Sequence, residues 1–190
     1  MRDTMTPFNP HENERKVPDM KMKTMAMISG KLLAISSGSM MLIPTFDHSA
    51  RIQILIPDRD VKKYELLQPG DDVIVQGEIA LYDSRRVSII PDRITRQVKG
   101  EYRDVNLVAI TARSKSVSYS LKTDDLFHAE FESGIIGITR VNFSIDRSKL
   151  NPEALRDFAL GNQYRPYCIS GRLASNHNKL QLVAESITRA

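Results

Sequence analysis

Residues 73–96 read VIVQGEIALYDSRRVSIIPDRITR, and residues 167–190 read YCISGRLASNHNKLQLVAESITRA. Each segment places a glycine among alternating apolar and polar residues, ahead of a polar turn and a second strand that ends in Ile-Thr-Arg. Gly77 and Gly171 are 94 residues apart, whereas the two Ile-Thr-Arg triplets are 93 apart. The one-residue difference falls in the turn, where loop length changes easily. The pattern predicts an internal duplication and hence two domains.

The region before Arg96 predicts three strands, a helix and two more strands. TMAMISGKLLAI and SMMLIP are strand candidates separated by Ser36-Ser37-Gly38. ARIQILIP alternates, which places Ile52, Ile54 and Ile56 on one face. DRDVKKYELL predicts a helix with Asp58 as its N-cap, and Pro69-Gly70-Asp71 predicts a turn. The last two strands flank a predicted turn at Asp83-Ser84, and Pro91 is expected to end the fifth.

The order recurs after Asp104. VNLVAITARSKSVSYSL predicts one long strand or a bent pair, LFHAEFESG is ambiguous, and TRVNFSID alternates with Val141, Phe143 and Ile145 facing inward. SKLNPEALRDFAL predicts a helix that Gly161 ends. We therefore predict a flexible arm over residues 1–21, a first domain over 22–97, a linker over 98–103 and a second domain over 104–190.

Five strands with a helix between the third and fourth are the layout of the five-stranded Greek-key barrel called the OB-fold. The chain accordingly resembles tandem OB-fold single-stranded nucleic-acid-binding proteins, of the replication protein A type or the phage or plasmid type. The resemblance is one of pattern, covers residues 22–96 and 104–189, and involves no family signature. It implies a mainly β fold of two tandem OB-like barrels, with Gly30 at the bend of a long first strand.

The resemblance also implies a binding face on strands 2 and 3, flanked by the loops between strands 1 and 2 and between strands 4 and 5. In the first barrel this face and its 4–5 hairpin would use Arg51, Gln53, Tyr82, Arg85 and Arg86. In the second barrel the corresponding set is Arg113, Lys115, Tyr119, Arg140, Asn142, His177 and Lys179. The strongest cluster is Tyr82 with Arg85 and Arg86, because one ring and two cations share a hairpin.

Composition leaves a second function open. The net charge is +4, and the excess is evenly spread, with 15 basic and 13 acidic residues over 1–100 and 12 and 10 over 101–190. There is no Trp, and aromatic residues make up 6%. Few rings are therefore expected for base stacking. The alternative is an OB-fold subunit that binds other proteins of a replication, phage or plasmid assembly, with little nucleic-acid contact.

The residue types that catalysis requires show no local signature. The four histidines are scattered, Asp71-Asp72 and Asp124-Asp125 are explained by turns, and Ser36–Ser39 lacks the Lys of a phosphate-binding loop. We predict a non-enzyme without metal or cofactor. Single-stranded DNA is the expected partner, with RNA left open.

Sequence also bears on location and assembly. The single cysteine, Cys168, fits a reducing compartment, and no apolar run is long enough for a membrane span. We expect a cytoplasmic or nucleoid-associated protein without membrane contact. The Met-rich stretches MKMKTMAM and SMMLIP leave open a homo-oligomer, because Met side chains adapt to irregular surfaces.

Overall fold

The computed structural model describes the protein over residues 23–82, 86–98, 100–112, 114–120, 126–133, 137–145, 148–149, 151–154, 156, 166–176 and 179–190. Over these residues the chain is almost entirely β-structure. Eleven strands follow one another, in the order β1 Lys23–Ser36, β2 Ser39–Pro44, β3 Ile52–Leu55, β4 Asp72–Tyr82, β5 Arg86–Arg96, β6 Asn106–Ala112, β7 Ser114–Ser120, β8 Leu126–Ser133, β9 Gly137–Ile145, β10 Tyr167–Asn176 and β11 Lys179–Arg189.

The first five strands close into a barrel. Hydrogen-bonded neighbours run β1-β2-β3-β5-β4 and return to β1, with β3 and β5 parallel and the other pairs antiparallel. Alternation along each strand turns one set of aliphatic side chains inward, and the predicted inward residues Ile52, Ile54 and Ile56 are all buried. The strand order is that of the predicted OB barrel.

A single long strand, β1, closes this barrel because it pairs at both ends. Residues 26–31 of β1 pair with β4, and residues 30–36 pair with β2, so Gly30 lies where the two ladders overlap. A Cβ at Gly30 would lie 2.9 Å from the Leu42 side chain and closer still to the Ile43 carbonyl oxygen. Gly30 therefore lies in the part of β1 that pairs with both neighbours, where close backbone approach leaves no room for a side chain, while the irregularity in the β1–β2 ladder lies between Leu32 and Ala34.

Both halves contain the same irregularity in their last hairpin. The β4–β5 register shifts between Gln76 and Gly77, and the β10–β11 register shifts between Ser170 and Gly171. Either glycine, given a Cβ, would collide with a carbonyl of the partner strand, at Ile90 and at Val183. These are β-bulges, in which close backbone contact leaves no room for a side chain.

The second group of strands repeats the neighbour order of the first. It runs β6-β10-β11-β9-β8-β7, with β9 and β11 parallel. If β6 and β7 are counted as two parts of one strand, the order equals that of β1, β4, β5, β3 and β2. Residue 113, between β6 and β7, is outside the described residues.

The two groups are joined edge to edge. The first part of β1 pairs antiparallel with β6, from Lys23↔Thr111 to Ile28↔Asn106, and this makes all eleven strands one hydrogen-bonded sheet. One row of paired residues across the seam is buried throughout and has a bulge glycine at the same distance on each side; it runs Pro91, Gly77, Ala26, Val108, Gly171, Ala184. Ala26 and Val108, which each face a bulge glycine, are thus partners of one another.

Two local predictions are wrong. Pro91 does not end the fifth strand, because β5 continues through it to Arg96. Pro91 lies opposite Gly77 at the bulge, where the ladder is interrupted and a missing N–H is tolerated. Asp58 is not a helix cap either: the segment Asp58–Tyr64 is a 3-10 helix whose N-cap is Pro57, without a side-chain capping bond.

Several other elements agree with the sequence. The break at Ser36-Ser37-Gly38 separates β1 from β2, and Gly70 in the predicted turn has φ 94°. The ambiguous LFHAEFESG segment forms β8 over most of its length. In the second predicted helix, residues 152–154 and 156 are helical, whereas the Asp83-Ser84 turn and Gly161 lie outside the described residues.

Candidate nucleic-acid interface

The outward side of β1, β2 and β3 is the face that the OB resemblance singles out. Because Leu32, Leu42 and Ile52 point into the core, their neighbours in the pleat point out. We call this surface the β1–β2–β3 outer face, and it consists of Lys31, Leu33, Met41, Ile43, Arg51 and Gln53. Met41 and Ile43 at its centre are half-buried and apolar, whereas the residues at its margins are exposed, and all of these except Leu33 are polar.

Arg51 and Gln53 are the two predicted site residues whose side chains are described, and both are exposed on this face. Nη1 of Arg51 donates hydrogen bonds to the carbonyl oxygens of His48 (2.8 Å) and Ala50 (2.7 Å). These bonds hold the guanidinium over the β2–β3 loop and leave its other donors for a ligand. Met41 is the β2 partner of Gln53.

Lys31 was missed by sequence reasoning. It is the β1 partner of Ile43, whose neighbour Leu42 pairs with Ile52, so Lys31 and Arg51 flank one apolar residue of β2. The ammonium of Lys31 lies 3.9 Å from the Asp72 carboxylate, and its side chain is 58% exposed. An exposed ion pair of this length is weak and leaves the cation available to a phosphate. Only the barrel closure brings Lys31 beside β2.

The β2–β3 loop is ordered by an acidic residue. Asp47 Oδ1 accepts hydrogen bonds from the Ser49 hydroxyl (2.6 Å) and the Ser49 N–H (2.8 Å). These bonds, together with one from the Ser175 side chain on β10, lower the pKa of Asp47 to about 2. Asp47 is therefore anionic at any ordinary pH and holds the β2–β3 loop in its turn.

The pairing of the strands indicates which residues of the second group correspond in position to Arg51 and Gln53. Gly77 pairs with Pro91 and Gly171 with Ala184, so Ile89 and Leu182, each two residues earlier, are counterparts. Their parallel partners are Ile54 and Phe143, respectively. Counting back from these partners, Gln53 corresponds in position to Asn142, and Arg51 corresponds to Arg140.

The remaining predicted residues lie at hairpins and on β7. Tyr82 ends β4, Arg86 begins β5 as its partner, and Lys179 begins β11. Lys115 and Tyr119 belong to β7. For these residues, and for Arg140 and Asn142, the backbone is described without the side chain, while Arg85, Arg113 and His177 lie outside the described residues.

The described residues also bear on metal binding and on membrane spans. Within the described ranges, no three His, Cys, Asp or Glu residues come together in a way that could hold a metal ion. No helix among those ranges has the length and apolar character needed to cross a membrane.

The comparisons with known proteins support the architecture. No protein-family model matches the chain, and no curated protein does. Among solved structures, the wild-type single-stranded DNA binding protein from Thermus aquaticus is similar, with a TM-score of 0.57 and 14% identity, over 90% of this chain and 94% of that one. A deletion mutant of the same protein (delta 228-252 R190A) gives the same score and identity and is covered over 95%.

At this identity the similarity concerns the fold. The chain is a mainly β protein that contains a closed five-stranded OB barrel, in an arrangement like that of a bacterial single-stranded DNA binding protein.

Proposed function

We propose that the protein binds single-stranded DNA without catalysing a reaction, and that it serves replication, recombination or the maintenance of a mobile element. The observation that carries the proposal is the β1–β2–β3 outer face of a closed OB barrel, with Lys31 and Arg51 on either side of Ile43. Such a surface combines cations for phosphates with apolar area for bases. The DNA-binding function named for the Thermus aquaticus neighbour agrees with it.

We further propose that the second group of strands is a second OB barrel, closed through β6 and β7, within a domain spanning residues 104–190. Its support is the repeated strand order, the repeated bulge glycine and the buried row that has such a glycine at the same distance on each side of the seam. The two barrels would then each present a β3-type strand with an Arg and an amide side chain, namely Arg51 with Gln53 and Arg140 with Asn142.

The 4–5 hairpins complete the proposed site. Tyr82 and Arg86 are partners at the end of the β4–β5 ladder, so Arg85 is in the connection between them. A hairpin that overhangs the groove can bring its cations to phosphates without burying them. In the second group of strands Lys179 begins β11, and His177 precedes it by two residues in the sequence.

A titration of labelled oligo-dT with the full chain, at several salt concentrations, tests the proposal. We expect a preference for single strands over duplex of the same length, and affinity that falls as salt rises. Equal or tighter binding to duplex would contradict it. Absence of binding at low salt would favour the alternative, a subunit that binds other proteins.

Variants of the first hairpin locate the contact. Changing Arg85 and Arg86 to Ala is expected to reduce the salt slope by up to about two phosphate contacts, or about 1.4 in the logarithmic slope for single strands. Tyr82→Ala should lower affinity by roughly 1–3 kcal/mol with the slope unchanged if its ring stacks on a base. Unchanged affinity in a folded protein that carries all three changes, at Tyr82, Arg85 and Arg86, would exclude this hairpin from the site.

We also propose that two copies associate through the outward side of the β1–β6 seam. Met25 (39% exposed) and Leu107 (41%) point outward there, flanked by the half-buried Met27 and Ala109. Met25 pairs with Ala109 and Met27 with Leu107, so the four side chains form one apolar strip along the seam, and this strip is the observation that supports the association.

Analytical ultracentrifugation at several protein concentrations tests this association. The double variant Met25→Glu, Leu107→Glu should give monomers. Leu66→Glu, which also replaces an exposed apolar residue by a charged one but at a position away from the seam, should not. A parent protein that is monomeric at all concentrations contradicts the proposal.

A further inference from the structure

The segment between β5 and β6 is a hydrogen-bonded turn. The Glu101 N–H donates to the Val98 carbonyl oxygen (3.0 Å), and Gly100 takes a φ of 97°. The side-chain oxygen of Gln97 accepts from the Arg103 N–H (2.7 Å), which closes the turn from the other side. The Gln97 N–H in turn donates to the Asp72 carbonyl oxygen (2.8 Å). The linker predicted over 98–103 is therefore fixed to β4 through Gln97, the residue that precedes it.

The other end of the segment is fixed to β1 and β2. The Val105 N–H donates to Ser29 Oγ (2.8 Å), and the Ser29 N–H donates to the Val105 carbonyl oxygen (2.8 Å). The hydroxyls of Ser29 and Thr45 are hydrogen-bonded at 2.8 Å. Ser29 itself is fully buried. One serine thus connects the linker, the middle of β1 and the end of β2.

This connection brings the linker to the margin of the β1–β2–β3 outer face. Lys31 follows Ser29 by two residues, and Thr45 begins the loop that ends at Arg51. Tyr102 precedes Val105 by three residues, a span of at most about 10 Å. The phosphate-binding candidates of the outer face and the residues of the turn therefore border the same few residues of β1.

Tyr102 differs from the other aromatic residues whose side chains are described. Tyr64 and Tyr167 are buried, and Phe46 packs partly against the core, whereas Tyr102 is 55% exposed. Arg103 beside it is exposed, and among the described carboxylates none forms an ion pair with it. A lone exposed ring needs no explanation. Tyr102, by contrast, is held on a hydrogen-bonded turn, next to Arg103 and close to the margin of the β1–β2–β3 outer face.

We infer that the linker is itself a nucleic-acid contact, in which Tyr102 stacks on a base and Arg103 binds the adjacent phosphate where the strand passes the edge of the outer face. The inference rests on the proposed function. It supplies a stacking ring that the two barrels' low aromatic content does not. Because the turn is ordered by its own hydrogen bonds, the ring pays little additional entropy on binding.

Substitutions in the turn give the first test, with labelled oligo-dT as the probe. Tyr102→Ala should weaken binding roughly 5- to 150-fold with an unchanged salt slope, the range for one stacked base. Tyr102→Phe should retain most of the affinity, because the ring rather than the hydroxyl makes the contact. Arg103→Ala should lower the logarithmic salt slope by about 0.7, the value for one phosphate on a single strand. Val98→Ala is the matched control, an exposed apolar position of the same turn, and should leave affinity unchanged.

A fluorescent reporter gives the second test. The chain contains no Trp, so Tyr102→Trp introduces a single one. Its emission should be quenched on addition of oligo-dT, in proportion to binding measured independently by anisotropy of the labelled strand. Leu66→Trp, at an exposed site beside the 3-10 helix, is the reference for non-specific changes.

The outcomes separate this inference from the function on which it rests. Oligo-dT binding with unchanged affinity in Tyr102→Ala, and with no quenching in Tyr102→Trp, overturns the linker contact and leaves single-strand binding in place. No binding of oligo-dT by the parent protein overturns both. Quenching together with the loss in Tyr102→Ala and its recovery in Tyr102→Phe supports the contact.

Discussion

Replacing Gly77 by alanine is expected to destabilise the first barrel strongly. The new Cβ would lie 2.8 Å from Pro91 Cα and closer still to the Ile90 carbonyl oxygen, whereas Cβ atoms in proteins essentially never come within 3.0 Å of such atoms. Both are backbone atoms of β5, so no side chain can rotate away and the strands themselves have to separate. Overpacking of this kind costs about 1–3 kcal/mol, and two weakened ladder hydrogen bonds add about 1 kcal/mol each. We expect a total of about 3–5 kcal/mol.

Guanidinium unfolding followed by circular dichroism measures this loss in free energy of unfolding. Gly171→Ala probes the equivalent bulge, where the Val183 carbonyl would be equally close, and should lose a similar amount. Gln76→Ala is the control, because its side chain points outward from the neighbouring position; it should stay within about 0.5 kcal/mol. A Gly77→Ala protein as stable as the Gln76→Ala control would refute the close approach as the reason for this glycine.

Two further predictions concern acid stability and proteolysis. Because its pKa falls from an unfolded value near 3.9 to about 2 in the folded protein, Asp47 should stabilise the fold fully above pH ~4 and lose that contribution as the pH falls through about 2. Asp47→Asn should therefore flatten the pH dependence of the urea midpoint in this window, and an unchanged dependence would exclude Asp47 as its source. Limited proteolysis should remove the arm before residue ~20 and then cut, more slowly, between Val98 and Arg103, where the side chains are exposed but the hydrogen-bonded turn has to open first. The two fragments should nevertheless elute together on size exclusion, because β1 and β6 remain paired; separate elution under native conditions would contradict that seam.

Local pattern predicted most of the first barrel, because its strands alternate and their ends carry turn residues. Ile52, Ile54 and Ile56 were assigned to the core by alternation alone, and they are buried. Gly30 was assigned to the bend of strand 1 from the OB resemblance, and it lies where the β2 and β4 ladders overlap. Pro91 was misassigned because its tolerance depends on a bulge in the partner strand, which no local pattern reveals.

The candidate site was predicted less completely, for a reason of distance along the chain. Arg51 and Gln53 follow from alternation within one strand, whereas Lys31 reaches the same face only through the register of β1 with β2. Tyr102 and Arg103 were assigned to a linker because they lack apolar periodicity. Their order comes from Gln97, Asp72 and Ser29, whose contacts with the segment need the folded sheet.

The pairing of β1 with β6 has a consequence for how the two groups of strands stay together. A seam in which Ala26 meets its own counterpart Val108 has the geometry of a two-fold symmetric homodimer, in which one surface binds a copy of itself. Here the two surfaces belong to one polypeptide, so their effective concentration is set by the short connection between them and is in the millimolar range or above. Dilution therefore cannot part them, and the two halves are present in equal amounts in every molecule that is synthesised.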